Sequence, residues 1–164
     1  MKLSTERLEL IVLSSQQLKL LAENLSALEK ALDCHYAAEP LEGIFLQIVK
    51  GQIEPTAKDE VNCAFHSFWL ILRKSDRTVI GSADFKDVPD KDGKTEIGYG
   101  LGKEFEHHGY MTETVRAMCK WALAQDSVKH IIAETERGNA PSQRILQRCG
   151  FTLARQEKSL WWEL

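Results

Sequence analysis

The chain has 164 residues, 43% of them hydrophobic and 27% charged, the balance of one soluble globular domain with its own core rather than of a disordered or fibrous chain. With 21 Lys and Arg against 24 Asp and Glu the net charge is −3, so the broad basic field that holds non-specific nucleic-acid binders is absent, and any polyanion must be gripped locally. Cys34, Cys63, Cys119 and Cys149 show no metal-ligand spacing, no apolar run approaches the ~20 residues of a membrane span, and the start lacks a signal-peptide pattern; the expectation is a reduced, cytoplasmic protein with no membrane and no nucleic-acid role.

Residues 7–13 alternate as a strand, and Ser14 or Ser15 can cap a helix beginning there. Leu18, Leu21, Leu25, Leu28 and Leu32 recur at threes and fours, which predicts an amphipathic helix over 16–32. A second helix is predicted over 40–53 from Pro40, Ile44, Phe45, Ile48 and Val49, while 56–63 reads equally as a helical turn or a loop. Aromatic and β-branched runs at 65–74 and 78–86, punctuated by Ser75-Asp76-Arg77, predict an antiparallel hairpin. A turn at 88–93 leads to a strand over 95–101, where Gly98 and Gly100 suggest a bulge or a close approach by other backbone.

Beyond Gly109 a long helix is predicted over 111–125, then a strand over 130–136, then a helix over 140–149 with Pro141 in its first turn and Gly150 past its end. Residues 151–155 and 160–164 close the chain as a hairpin. The order is βααβββαβαββ, an α/β (α+β) mixture about one sheet in a single domain over 1–164. Trp161 and Trp162 cover the end of that sheet, or line an acceptor pocket or a homodimer contact.

The segment from Glu96 to Glu113 runs a glycine-interrupted strand through a turn into a long helix. Unpaired N–H groups at a helix start, with a dipole worth ~+0.5 charge, receive an anion without any net basic charge; the plainer reading is that Gly109 only makes the turn. A dinucleotide fingerprint fails, because Gly98-x-Gly100 is followed by Lys103 where a third glycine is needed, and there is no Walker lysine. The neighbours His107 and His108 lack a third ligand at useful spacing, so no metal is expected. Asn139 is by type a helix N-cap.

Three landmarks together, Ser4-Thr-Glu-Arg-Leu-Glu-Leu10, the strand from Glu96 with its turn to Gly109-Tyr-Met-Thr-Glu113, and Asn139…Ser142…Cys149-Gly-Phe151, resemble the GNAT superfamily of acyl-CoA N-acyltransferases, in its branch of ribosomal-protein N-terminal acetyltransferases. The resemblance implies a mixed, mostly antiparallel central sheet with helices on both faces, and acetyl-CoA in a V-shaped opening between the strands at 95–101 and 130–136. It implies that the backbone of Tyr99, Gly100 and Leu101 pairs with pantetheine. It further implies that the amides of His107, His108, Gly109, Tyr110, Met111 and Thr112 hold the pyrophosphate, with Asn139 and Ser142 on the cofactor side. Glu106 and Met111 depart from the family pattern at the two ends of that turn.

Acetylating an amine requires a neutral nitrogen, a polarised thioester and a stabilised thiolate. Neutralising an ε-amine of pKa ~10.4 at pH 7 costs ~4.6 kcal/mol, against ~1.4 for an α-amine near 8, so a strong base is needed for the first and nearly optional for the second. By resemblance Glu134 matches the position of a catalytic glutamate found in some family members; Glu96 is a second candidate base and Glu136, of the same strand parity as Glu134, a third, and the sequence does not choose among them. The tyrosine acid of many family members is absent, since Leu146 stands in its place, and Ser142 matches the variant in which a serine donates to the thiol. The expected function is acetyl-CoA-dependent N-acetylation of a protein N-terminal α-amine or a small-molecule amine. A non-catalytic acyl-CoA-sensing module and a resistance-type acetyltransferase of an aminoglycoside-like amine are alternatives, with Glu39 and Glu42 in the segment expected to shape the acceptor pocket.

Overall fold

The computed structural model describes residues 1–164. In chain order the elements are β1 (Lys2–Ser4), β2 (Leu8–Val12), α1 (Ser15–Glu23), α2 (Leu25–Leu32), β3 (His35–Tyr36), α3 (Gly43–Lys58), α4 (Cys63–His66), β4 (Phe68–Arg73), β5 (Thr78–Phe85), β6 (Lys94–Leu101), α5 (Tyr110–Leu123), β7 (His130–Thr135), α6 (Ala140–Arg148), β8 (Thr152–Gln156) and β9 (Leu160–Glu163). One sheet runs β1-β2-β4-β5-β6-β7-β9-β8, and β3 pairs with the start of β5, end to end with β6. Only β3–β5 and β6–β7 are parallel, which is the mixed, mostly antiparallel sheet expected.

The predicted framework lacks β3, and α4 takes Cys63–His66, so the strand expected from 65 begins only at Phe68 as β4. The expected strand at 7–13 is the second arm of a hairpin, since β1 pairs with it from Lys2↔Ile11 to Ser4↔Glu9. The helix expected over 16–32 is two: Asn24 ends α1 and caps α2, its side chain accepting from Ala27 N. Ser14 is the N-cap of α1 and closes a capping box with Gln17. The helix expected to stop at 53 continues through Pro55 to Lys58, where Thr56 turns inward and is buried. Finally, the segment 56–63, readable as a helical turn or a loop, is the end of α3, a single 3₁₀ turn at Glu60–Asn62 and the first residue of α4.

Both sheet faces are covered. Trp69 and Ile71 of β4 point into a larger core with Ile80, Phe85, Val115, Met118 and Ile131 under α5. Leu70 and Leu72 point the other way, against Leu18 and Leu21 of α1, Leu28 of α2 and Val49 of α3. A strand buried on both faces reads as the unbroken apolar run seen at Phe68–Leu72. Leu146 is fully buried in the larger core, so this position of α6 holds the helix to the sheet. No helix is long and apolar enough to cross a membrane.

Candidate active site

The sheet is continuous except at one place. β6 pairs with β7 only from Lys94↔His130 to Glu96↔Ile132, and beyond that point it pairs with β5 alone, from Ile97↔Phe85 to Leu101↔Gly81. β6 and β7 therefore part company after Glu96. Glu96 O and Gly102 N bond to Lys86 and Ile80 on the β5 side, and backbone direction alternates along a strand. Tyr99 and Leu101 accordingly direct their N–H and C=O groups into the gap.

The gap opens into a cleft of about 520 Å³ lined by Tyr99, Gly100, Leu101, His107, Gly109, Tyr110, Met111, Thr112, Asn139 and Ser142 among others. Residues from three separate stretches of sequence thus share one cavity. At its far end the turn before α5 places His107 at φ +65° and Gly109 at φ +79°, and such reversals of handedness turn successive N–H groups toward one side. The N–H groups from His107 through Thr112 donate to no protein acceptor. His108 does not line the cavity with its side chain; its ring stacks on Tyr110 and its carbonyl accepts from Arg7 Nη1 at 2.8 Å.

That turn is braced from outside. Glu113, in the first turn of α5, accepts from Thr5 Oγ1 at 2.6 Å, from Arg7 N at 2.9 Å and from Arg7 Nε at 2.8 Å, while the Arg7 guanidinium lies over the Tyr110 ring. Burial alone would raise the Glu113 carboxyl, but these bonds and the Arg7 charge outweigh it and hold the group below its ordinary range. The opening Thr5–Arg7 stretch is therefore a clasp on the anion-ready turn. Met111 is buried in the core as well as lining the cavity, and Glu106 is exposed at the rim without an ion pair. Arg144 and Arg148 are among the residues that line the same cavity.

The two faces of the gap differ in chemistry. On the α6 face Asn139 caps the helix by accepting from Ser142 N, and the Tyr99 hydroxyl lies 2.8 Å from Ser142 Oγ. Burial pushes the Tyr99 phenol up to about 12. On the α3 face stand Glu96, and Glu134, which is opposite Trp161 in the β7–β9 pairing. Burial raises the Glu96 carboxyl; Lys86 pulls it back, and Glu134 and Asp84 push it further up. Glu134 is exposed. Glu136 lies beyond the end of β7, where its carbonyl accepts from Asn139 N, so it does not share the strand position of Glu134.

The glycines of β6 have a different reason from the one expected. The β5–β6 register is unbroken, so there is no bulge, and what approaches is side chain rather than backbone. An added Cβ at Gly98 would lie 2.9 Å from Asp84 Oδ1 and 2.8 Å from Lys86 Nζ, and one at Gly100 would overlap Glu39 Oε1. Asp84 itself is only 4% exposed, accepts from Gln52 Nε2 at 3.1 Å, and has its carboxyl raised by burial against the pull of Lys86 and Gln52. Sequence reasoning passed over Asp84 and Lys86. The signal was present, since a carboxylate inside a strand whose every residue is buried demands a partner. Glu42, outside the cavity, is the exposed N-cap of α3.

A family model described as the acetyltransferase (GNAT) domain matches residues 35–152. The uncharacterized N-acetyltransferase YjdG of Bacillus subtilis is 34% identical over 85 residues, 52% of this chain and 51% of that protein, and the chain spans about half the length of the curated relatives it matches. Among solved structures, the ribosomal L7/L12 α-N-protein acetyltransferase RimL in complex with coenzyme A superposes with a TM-score of 0.71 at 15% identity, over 100% of this chain and 97% of that one. The ribosomal-protein-S5-alanine acetyltransferase of Vibrio fischeri gives 0.70 at 15% identity over 100% and 96%. With the matched segment running from β3 to the start of β8, across the parted strands and the turn before α5, the chain belongs to the GNAT acetyltransferase family.

Proposed function

We propose that the protein is one catalytic domain over residues 1–164, acting in the cytoplasm, that moves an acetyl group from acetyl-CoA to a primary amine by direct attack. The observation that carries this reading is the run of six unpaired N–H groups from His107 to Thr112 at the end of a gap walled by free strand backbone. Such a cradle suits a diphosphate joined to an amide-bearing arm. In this reading the N–H groups of the turn hold the diphosphate with Arg144 and Arg148 lining the same cavity, and Tyr99 and Leu101 take the amides of the arm. Asn139 has its side-chain oxygen committed to Ser142 N, which leaves its NH₂ for the arm.

Acetyl-CoA supplies the thioester carbonyl and the thiolate leaving group. The chain's own residues divide the remaining work between the two faces of the gap. Glu96, half-buried with its carboxyl raised, takes the proton from the incoming ammonium; Glu134 adds negative charge on that face and helps to draw a cation in. The neutral amine forms the C–N bond as the C–S bond breaks. Ser142, on the opposite face, donates to the departing sulfur, and one proton is released to solvent for each amide made. A carboxylate of raised but ordinary strength suffices for an α-amine, whose neutral form costs ~1.4 kcal/mol at pH 7, more readily than for an ε-amine at ~4.6. A protein N-terminus or a small α-amine is therefore the acceptor class this site suits. RimL, a ribosomal-protein acetyltransferase, and the microcin C7 self-immunity acetyltransferase MccE share the fold, and they frame protein and small-molecule acceptors as the two classes to screen.

Calorimetric titration with acetyl-CoA, followed by thiol release against a panel of N-terminal peptides and small amines, tests the reading. Saturable binding and amine-dependent release that Glu96→Gln lowers by tenfold or more are expected. Saturable binding with no release on any amine would reduce the protein to an acyl-CoA sensor.

A further inference from the structure

The position where many members of this family place a tyrosine is Leu146, fully buried in the core. A tyrosine nevertheless reaches the first turn of α6 from another element. Tyr99 comes from β6, packs against the larger core, and sets its hydroxyl 2.8 Å from Ser142 Oγ inside the cleft. Ser142 Oγ has no other protein partner, and its backbone N–H is tied to Asn139. Either hydroxyl can donate in this pair; the Ser142 carbonyl oxygen, 3.5 Å from the Tyr99 hydroxyl, is the phenol's other acceptor and much the longer contact. With Ser142 as donor its hydrogen would be spent on the phenol and nothing would face the gap; with Tyr99 as donor the serine hydrogen is released toward the gap. Building on the acetyltransferase reading above, we propose that Tyr99 is a positioning residue for the leaving thiol: its hydroxyl donates to Ser142 Oγ and thereby turns the serine hydrogen onto the sulfur.

The alternative, in which Tyr99 passes its own proton through Ser142 to the thiolate, fails on magnitude. Burial pushes the phenol up to about 12, whereas a thiol titrates near ~8.5. The phenol is a weaker acid than the thiol it would protonate, so the transfer runs uphill. A phenol that holds its proton this firmly is a dependable donor and a poor acid. The proton that finally reaches the thiolate comes from solvent.

The test uses the whole chain with CoA itself, whose free thiol occupies the leaving-group position and needs no acceptor. The thiol of bound CoA is titrated by its thiolate absorbance and by its rate of alkylation. A thiol pKa at least one unit below that of free CoA is expected in the wild type, with a return of that unit, or a tenfold loss of thiolate at pH 7, in Tyr99→Phe and in Ser142→Ala. The double variant should match Ser142→Ala alone, because Tyr99 acts only through the serine. CoA affinity should change less than threefold in Tyr99→Phe, with the loss in turnover falling on kcat rather than KM. An unchanged thiol pKa in Tyr99→Phe that binds CoA normally overturns this inference and leaves the acetyltransferase reading standing. Failure of the wild type to bind CoA overturns that reading, and this one with it.

Discussion

At the scale of single residues, the candidate site is shaped by what β6 lacks. Gly98 and Gly100 leave room for Asp84, Lys86 and Glu39 to lie directly on the strand, so carboxylates crowd the face on which Glu96 stands. Replacing Gly100 by Val puts a branched side chain where Glu39 Oε1 sits, and nothing nearby but Glu39 can give way. The expected result is at least a tenfold rise in the KM for the amine or for acetyl-CoA with less than 1 kcal/mol lost in stability, read by steady-state kinetics beside urea unfolding. An unchanged KM for both substrates would show that Glu39 and the Gly100 surface lie outside the site. Gly109 and Asn139 were legible by type and place as a turn and a helix cap, because that chemistry is local, while their place in a cleft with Tyr99 to Leu101 came from the family resemblance. The partnership of Tyr99 with Ser142 was not legible, since the two are 43 positions apart and nothing local to either implies the other.

At the scale of elements, the clasp between the first hairpin and α5 is the feature with the clearest energetic signature. Glu113 holds three bonds from Thr5 and Arg7, and its carboxyl lies below its ordinary value of 4.5. A group depressed in the folded state adds stability above its unfolded pKa and loses that contribution as pH falls through the folded one. The clasp therefore contributes in full above about pH 5 and fades below 4.5. Glu113→Gln is expected to cost about 1–2 kcal/mol at pH 7 and to flatten that part of the acid limb, with CoA affinity falling as the turn loosens. Equal stability of wild type and variant at pH 7 would sink the argument. The long periodic elements, α5, α6 and β4 to β7, were readable because burial of one face or both writes a period into the sequence. The strands β1 and β3 were not, being three and two residues long, too short for any period and defined only by the partners they meet.

At the scale of the whole molecule, one gap in one sheet joins two chemically distinct faces, and ligand binding there is coupled to the stability of everything that borders it. Acetyl-CoA at a hundred times its Kd adds about 2.7 kcal/mol to a protein that binds it only when folded, which for a chain of this size is a rise of about 5–10 °C in Tm. Gly109→Val, which forces a branched residue to φ +79°, should abolish most of that rise. A full ligand-induced shift in this variant would remove the turn from the binding site. The net charge of −3 places no bar on a polyphosphate ligand when backbone amides meet it. By itself the sequence determined the order of the major elements and the turn before α5, because helix periods, caps and glycine positions are local consequences of local residues, and its three landmark motifs carried the resemblance to the family. Only the tertiary structure decided where β6 leaves β7, which carboxylates share a face, and which hydroxyl meets Ser142. Those are relations between distant segments, set by how two cores pack on opposite faces of one sheet.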